Sequence, residues 1–207
     1  EGAAETVTLP GEYPDLFAGT PVRIEADADL RAASRPVRFA IIHPLAALRG
    51  TAQTRGSAHA EADLTIPALA PFAALKQIDM RGSADLHITA IQTNTGLRLA
   101  LNGKIDAQGT AIPARLLGRK ATLDLDAVLE GADLTQSRMQ LNGAAIASDV
   151  SGSMRKGVLN YRLTLAIADL SQLTKQMQGS LRLGGTVNGP LGKENLSASG
   201  SASLATQ

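Results

Sequence analysis

Histidine, aspartate and serine are the residues of this chain whose types could do chemistry. The three histidines, His43, His59 and His87, lie far apart, and none stands in a His-x-x-x-His or similar metal-ligand spacing. His87 falls on the polar parity of "ADLHITA", which places it on the surface. Asp124 and Asp126 share a strand parity, as do Asp27 and Asp29. Carboxylates two apart can in principle share a divalent cation; more often they are a solvated face that discourages edge-to-edge pairing. "GGTVNG" (Gly184 to Gly189) is rich in glycine, but no Lys-Ser/Thr follows it and no helix begins there, so it is not a phosphate loop. The serines of "SASGSAS" (Ser197 to Ser203) sit on a strand pattern with no nearby base. No catalytic constellation emerges, and the expectation is a non-enzyme with neither cofactor nor metal.

Composition narrows the classes further. The chain has 207 residues, 44% hydrophobic, with three Phe, two Tyr and no Trp. Aromatic side chains bury the most area per residue, so any apolar surface here is built from Leu, Ile, Val and Ala. A net charge of +1 with mixed signs gives no reason to expect nucleic acid. The basic stretch "LLGRK" (Leu116 to Lys120) reads as a solvated loop. Absence of cysteine excludes a disulfide framework and thiol chemistry. No apolar run approaches the roughly 18 residues of a spanning helix. The first residue is Glu and the last residues still alternate, so the expectation is an interior slice of a longer chain.

The elements that must position these residues are strands. Apolar and polar residues alternate in "VRIEADADL" (22–30), "VRFAI" (37–41), "LRLAL" (97–101), "ATLDLDAVL" (121–129), "VLNYRLTLAI" (158–167), "SLRLGGTV" (180–187) and "LSASGSASL" (196–204). Two segments depart from the alternation. "IPALAPFAALKQ" (66–77) and "ADLSQLTKQMQG" (168–179) read as short helical turns, with Pro71 at or before the start of the first. Asp169 could cap the second, with Leu170, Leu173 and Met177 at helical spacing. These two segments also align, Leu64 with Leu163 and Gly82 with Gly179, which suggests a repeated module over 62–101 and 161–192 of a single elongated β segment, 1–207.

Asn-Gly dipeptides test the reading, because they are the commonest two-residue hairpin signal. A hairpin at Asn102-Gly103 would throw Ile105 onto the face opposite Leu97, Leu99 and Leu101; a continuing strand keeps all four together. Continuity is therefore expected there, and also through "LRLGGTVNGPLG" (181–192). "MQLNGAAI" (139–146) reads instead as a hairpin with Met139 set against Ile146. Long strands with one aliphatic face, interrupted by glycine, fit a sheet curled into an open trough with a polar outside, though a two-sheet sandwich is not excluded.

"LNYRLTLAIADLSQLTKQMQGSLRLGGTVNGPLG" (Leu159 to Gly192) resembles the repeating pattern of the TamB and AsmA-like envelope proteins. Asp169, Leu170 and Leu173 match the family's turn, and Gly179, Leu181, Leu183, Gly185, Val187 and Gly189 match its strand. Ala62 to Leu101 is a looser second match. The resemblance implies an all-β fold: an elongated, curved antiparallel or mixed sheet forming a taco-like hydrophobic groove, with two short helical turns. It implies a periplasmic location in a Gram-negative bacterium, with the parent chain anchored in the inner membrane. It also implies a groove that shields phospholipid acyl chains between the two membranes, and support of outer-membrane protein assembly through a barrel-assembly-type partner that regions outside this segment would contact. The inward-facing candidates are Val22, Ile24, Leu97, Leu99, Leu101, Leu123, Leu125, Leu163, Leu165, Ile167, Leu181 and Leu183. The alternative is a structural β-solenoid or adhesin-like domain with a closed aliphatic core. An outer-membrane barrel is disfavoured, since its girdles need more aromatics than this chain has.

Overall fold

Alternating residues become strands, and the breaks in alternation become the connections. The computed structural model describes residues 2–4, 20–53, 55–56 and 58–205; residues 5–19 of the expected 1–207 segment lie outside the described residues. In chain order the elements are β1 (Gly2–Ala4), β2 (Val22–Ala28), β3 (Pro36–His43), β4 (Ala46–Gln53), β5 (His59–Ile66), α1 (Ala70–Ala74), β6 (Arg81–Gln92), β7 (Leu97–Gln108) and α2 (Ile112–Leu117). A 3-10 turn over Gly118–Lys120 leads into β8 (Ala121–Glu130), β9 (Asp133–Asn142), β10 (Ile146–Arg155) and β11 (Val158–Ile167). A second 3-10 turn, Leu170–Gln172, precedes β12 (Gln178–Pro190) and β13 (Asn195–Ala205). The strands form one sheet of thirteen in the order of the chain, each paired antiparallel with its sequence neighbours. The sheet is curved and unclosed, an all-β, taco-like fold. Neither a face-to-face sandwich nor the closed core of a solenoid is formed by these pairings.

The chain runs straight through Asn102-Gly103. Asn102 pairs with His87 on one side and Asp124 on the other, and Gly103 with Leu86 and Leu123. The reversal before β7 lies at Thr93–Gly96 instead, where the Thr93 amide donates to the Gly96 carbonyl at 2.9 Å. β12 likewise continues through Asn188 and stops at Pro190, which has no amide hydrogen to extend the ladder. After Asn142 the chain does turn, but two residues later than the dipeptide itself: the Gly143 amide donates to the Ile146 carbonyl at 2.7 Å, leaving Ala144 and Ala145 as the turn. Asn142 pairs with Ala147, so Met139 lies opposite Val150 and Ile146 opposite Ile167. The turn falls there because Ala144 and Ala145 donate to the carbonyls of Leu117 and Leu116 at 2.8 and 2.9 Å, which ties it to α2.

One fault in alternation has a structural cause. In β9, Leu134 and Met139 are an odd number of residues apart, yet both share the aliphatic face. One extra residue in β9 rephases the strand against both neighbours: Leu129 and Met154 pair with Leu134, while Val128 and Gly152 pair with Gln136 and Ser137.

Helical segments connect β5 to β6, β7 to β8 and β11 to β12, and in an antiparallel meander these connections fall on one edge of the sheet. The middle one corrects the reading of Leu116–Lys120 as a solvated loop, and there are three helical crossings where two were expected. Leu116 is buried, Pro113 stands in the first turn of α2, and Gly118 ends it at φ +68°. Leu116, Ala145, Ile167 and Leu170 form a small closed core along this edge, with Leu173 and Leu181 packed against it. Asp169 caps the second 3-10 turn, accepting from the Ser171 amide at 2.9 Å. Met177, expected on the same helical face, is exposed instead. The aligned glycines Gly82 and Gly179 play the same part in their two crossings. Each is the second residue of its strand, at φ +127° and +119°. A Cβ there would collide with the carbonyl oxygen of Asp106 or Ser203 respectively.

Gly82→Ala and Gly179→Ala should each lower the unfolding free energy by about 1–3 kcal/mol, since both φ and space forbid the methyl. Leu170→Ala should lower it by about 2–5 kcal/mol, because the side chain fills the closed edge. Urea unfolding followed by far-UV circular dichroism checks all three.

Candidate functional site: the aliphatic face

Cross-strand partners share a face, so the register shows what lines each side of the sheet. One row runs unbroken from β2 to β13: Ile24, Ile41, Leu48, Leu64, Leu86, Gly103, Leu123, Leu141, Ser148, Leu165, Leu183 and Gly200. The row beside it passes through Phe39, Ile88, Leu101, Leu125, Met139, Val150 and Leu163. All twelve residues expected to face inward fall on this one side. Leu48, Leu64, Leu86, Ile88, Leu141 and Val150 belong to the same face and were not among the twelve. Strands such as "AALRGTAQ" hide their alternation behind Ala and Gly, and β9 and β10 meet at a rephasing.

The twelve do not share one environment. Ile24, Leu97 and Leu183 are exposed, at 45%, 37% and 36%. Leu99, Leu101, Leu123, Leu125, Leu163 and Leu165 are half-buried. Val22 and Ile167 are sealed at 6% each, and Leu181 packs against the closed core. Ile167 and Leu181 therefore belong to the roofed edge and not to the open wall. Val22 lies at the same edge as His43, a histidine buried at the end of β3 whose Nδ1 accepts from the Leu45 amide at 3.1 Å.

Crowding distinguishes the two sides. A Cβ on Gly50 would lie 2.7 Å from Phe39 Cζ and 2.9 Å from Ala62 Cβ, and one on Gly103 would collide with Leu86 Cδ2. On the opposite face a Cβ on Gly184 would meet nothing within 4 Å. Side chains converge on the inside of a bend and spread on its outside, so the aliphatic face is the concave one. Polar atoms on it are few, and two of them meet each other: Ser137 Oγ donates to the Gly152 carbonyl at 3.3 Å and accepts from the Tyr161 hydroxyl at 3.1 Å.

The outer face carries the charge. Arg138 donates to Asp149 at 2.7 Å, Arg98 lies 3.7 Å from Asp126, and His87 Nδ1 is 2.8 Å from Asp63. Asn102 donates to Asp124 at 2.7 Å, and Asp29 accepts from the amides of Arg31 and Ala32. Asp29, Asp124 and Asp126 thus have protein partners in place of a shared cation. Clefts of about 520 and 500 Å³ open on this face. The first lies among Asp63, Asp85, His87, Asn102, Lys104 and Asp124; the second lies among Gln140, Asp149, Thr164, Arg182 and Ser201. They are furrows between spread rows of polar side chains. Among the described residues no group of three or more His, Asp or Glu is placed to hold a metal. Among the described residues no helix is long and apolar enough to cross a membrane.

Two carboxyls that fasten the roofed edge sit below their ordinary value of 3.8. Hydrogen bonds from the Thr110 hydroxyl and amide lower Asp79, and those from Gln172 and Ser171 lower Asp169. Comparison of the chain with protein-family models, with curated proteins and with solved structures finds no match.

A group depressed in the folded state stabilises above its unfolded pKa and loses that contribution as pH falls through the folded one. Asp169→Asn should therefore lower Tm at pH 7, and the gap to the parent chain should close below the ordinary value of 3.8. A thermal series from pH 7 to pH 2 checks this. Leu101→Ala, on the open wall, should cost about 1 kcal/mol, less than Leu170→Ala in the closed core.

Proposed function

We propose that this chain is a periplasmic segment of a lipid-transport protein of the TamB and AsmA-like kind, and that its aliphatic face shields phospholipid acyl chains between the inner and outer membranes. The observation that carries the reading is the row continuous from β2 to β13, aliphatic but for Gly103, Ser148 and Gly200, with no second sheet laid over it among the described residues. Soluble chains rarely leave so large an apolar surface unoccupied. Thirteen strands spaced at about 4.8 Å extend the wall to roughly 58 Å.

The mechanism is one of solvation. Each exposed CH₂ costs about 0.8 kcal/mol, so fully exposing a sixteen-carbon tail costs on the order of 12 kcal/mol. A tail lying against Leu99, Leu101, Leu123, Leu125, Leu163 and Leu165 avoids most of that, while the open side leaves its headgroup in water. Leucine offers dispersion contacts without direction, so one position resembles the next and the tail can slide. The charged outer face keeps the assembly soluble.

Photocrosslinking residues at 97, 99 and 101 should capture phospholipid in cells, and those at 98, 100 and 102 should not. Capture at both parities would overturn the reading. Leu99→Asp and Leu165→Asp should abolish capture while leaving the far-UV spectrum unchanged; loss of the sheet itself would instead mark these positions as a sealed core.

A further inference from the structure

We propose that Tyr161, with Ser137 beside it, is the point on the aliphatic wall that recognises the ester carbonyl of a glycerolipid, so that the wall takes ester-linked chains in preference to ether-linked ones. The inference rests on the lipid reading above and adds to it the chemical class of the cargo.

Hydroxyl groups are rare on the concave face. Among the described residues, its paired positions from β2 to β13 carry them only at Ser137, Ser148 and Tyr161. Two of these come together. Tyr161 stands opposite Gly152, and Gly152 opposite Ser137, in one row across β11, β10 and β9. A Cβ on Gly152 would lie 2.7 Å from Tyr161 Cδ1, so the ring leans over the glycine instead of standing up from the sheet as strand side chains ordinarily do. The lean carries its hydroxyl across β10 to Ser137 Oγ, 3.1 Å away. That is longer than the roughly 2.7–2.8 Å usual between hydroxyls, and both residues are half-buried. Exchange for a shorter bond strands no donor, because Ser137 keeps its bond to the Gly152 carbonyl.

The depth of the pair fits an ester. Tyr161 lies near the edge of tight turns, which no described helical segment roofs. Between it and the Lys156-Gly157 turn the wall shows one inward residue, Leu159, about 7 Å nearer that edge. Toward the roofed edge follow Leu163, Leu165 and Ile167. A glycerolipid lying along β11 with its headgroup in the water at the open side has its parts in the same order. The glycerol falls over Leu159, the ester carbonyls over Tyr161 and Ser137, and the hydrocarbon over Leu163 and Leu165. The ester is the polar group that such a tail carries with it into the groove. Its carbonyl loses water there and needs a donor. The Tyr161 hydroxyl supplies one by turning away from Ser137. Neither partner is charged, so the contact is weak enough to let the tail move on.

Two phosphatidylethanolamine probes test this. Both carry the same photoreactive group in the chain, and they differ only in an ester or an ether linkage, the ether oxygen being the poorer acceptor. Offered to the purified 207-residue chain in otherwise identical phosphatidylglycerol vesicles, the ester probe should be captured about two- to tenfold more, the ratio that one net hydrogen bond allows. Tyr161→Phe keeps the ring and should bring the two probes level, leaving capture of the ether probe as it was. Ser137→Ala removes the competing acceptor and should widen the ratio. A pair that only braces the sheet would respond to both variants alike, which would overturn the inference. Capture of neither probe would overturn the lipid reading and this inference with it. Equal capture of both by the parent chain, or a ratio that survives in Tyr161→Phe, would overturn this inference alone.

Discussion

The molecule depends on one constraint, that hydrogen-bonded antiparallel neighbours keep their side chains in step. A residue and its cross-strand partner always point the same way. Twelve successive pairings transmit that rule from β1 to β13, so a leucine on β3 and a leucine on β12 end on one wall although nothing connects them directly. Loss of phase in any one strand would invert everything beyond it. β9 carries such a fault and corrects it within itself, by one extra residue between Leu134 and Ser137. The leucines on either side of the fault therefore face the same way.

The two long edges of the sheet are built differently. Tight turns close one edge, and one of them, Lys156-Gly157, has positive φ at both residues. Helical crossings roof the other, and Leu116, Ile167 and Leu170 there form the only cluster of buried side chains among the described residues that resembles an ordinary core. This asymmetry gives the wall one sealed margin and one open margin. Buried alanines such as Ala84, Ala107 and Ala121 mark where the helical segments lie close to the strands.

An open aliphatic wall raises a solubility problem, and the opposite face answers it. Arg98, Arg138, Asp126 and Asp149 form exposed ion pairs across strands. Such pairs contribute little stability, but they keep the outer surface wet. The same economy of side-chain types suits a surface meant to hold apolar chains loosely. An aromatic wall would grip, whereas a wall of leucine, isoleucine and alanine presents a nearly uniform potential.

Strand parity was legible in the residues alone. "VLNYRLTLAI" is β11 residue for residue, and the three leucines before Asn102 with Ile105 after it were enough to show that β7 does not turn. Glycine and proline marked the crossings, and Asp169 announced its own cap. Only the tertiary structure decided what covers which residue. Val22, Ile167 and Leu181 carry the same alternation as Leu99 and Leu165, yet they sit at the margin where the roof lies. α2 escaped notice because six residues make fewer than two helical turns, too few for an apolar pattern to repeat, and the turn after Asn142 moves onto Ala144 and Ala145 because it answers to α2 and not to its own dipeptide. Alternation is a local property carried by each strand, so it can be read from the chain; burial depends on what lies across the sheet, and that is set only when distant segments meet.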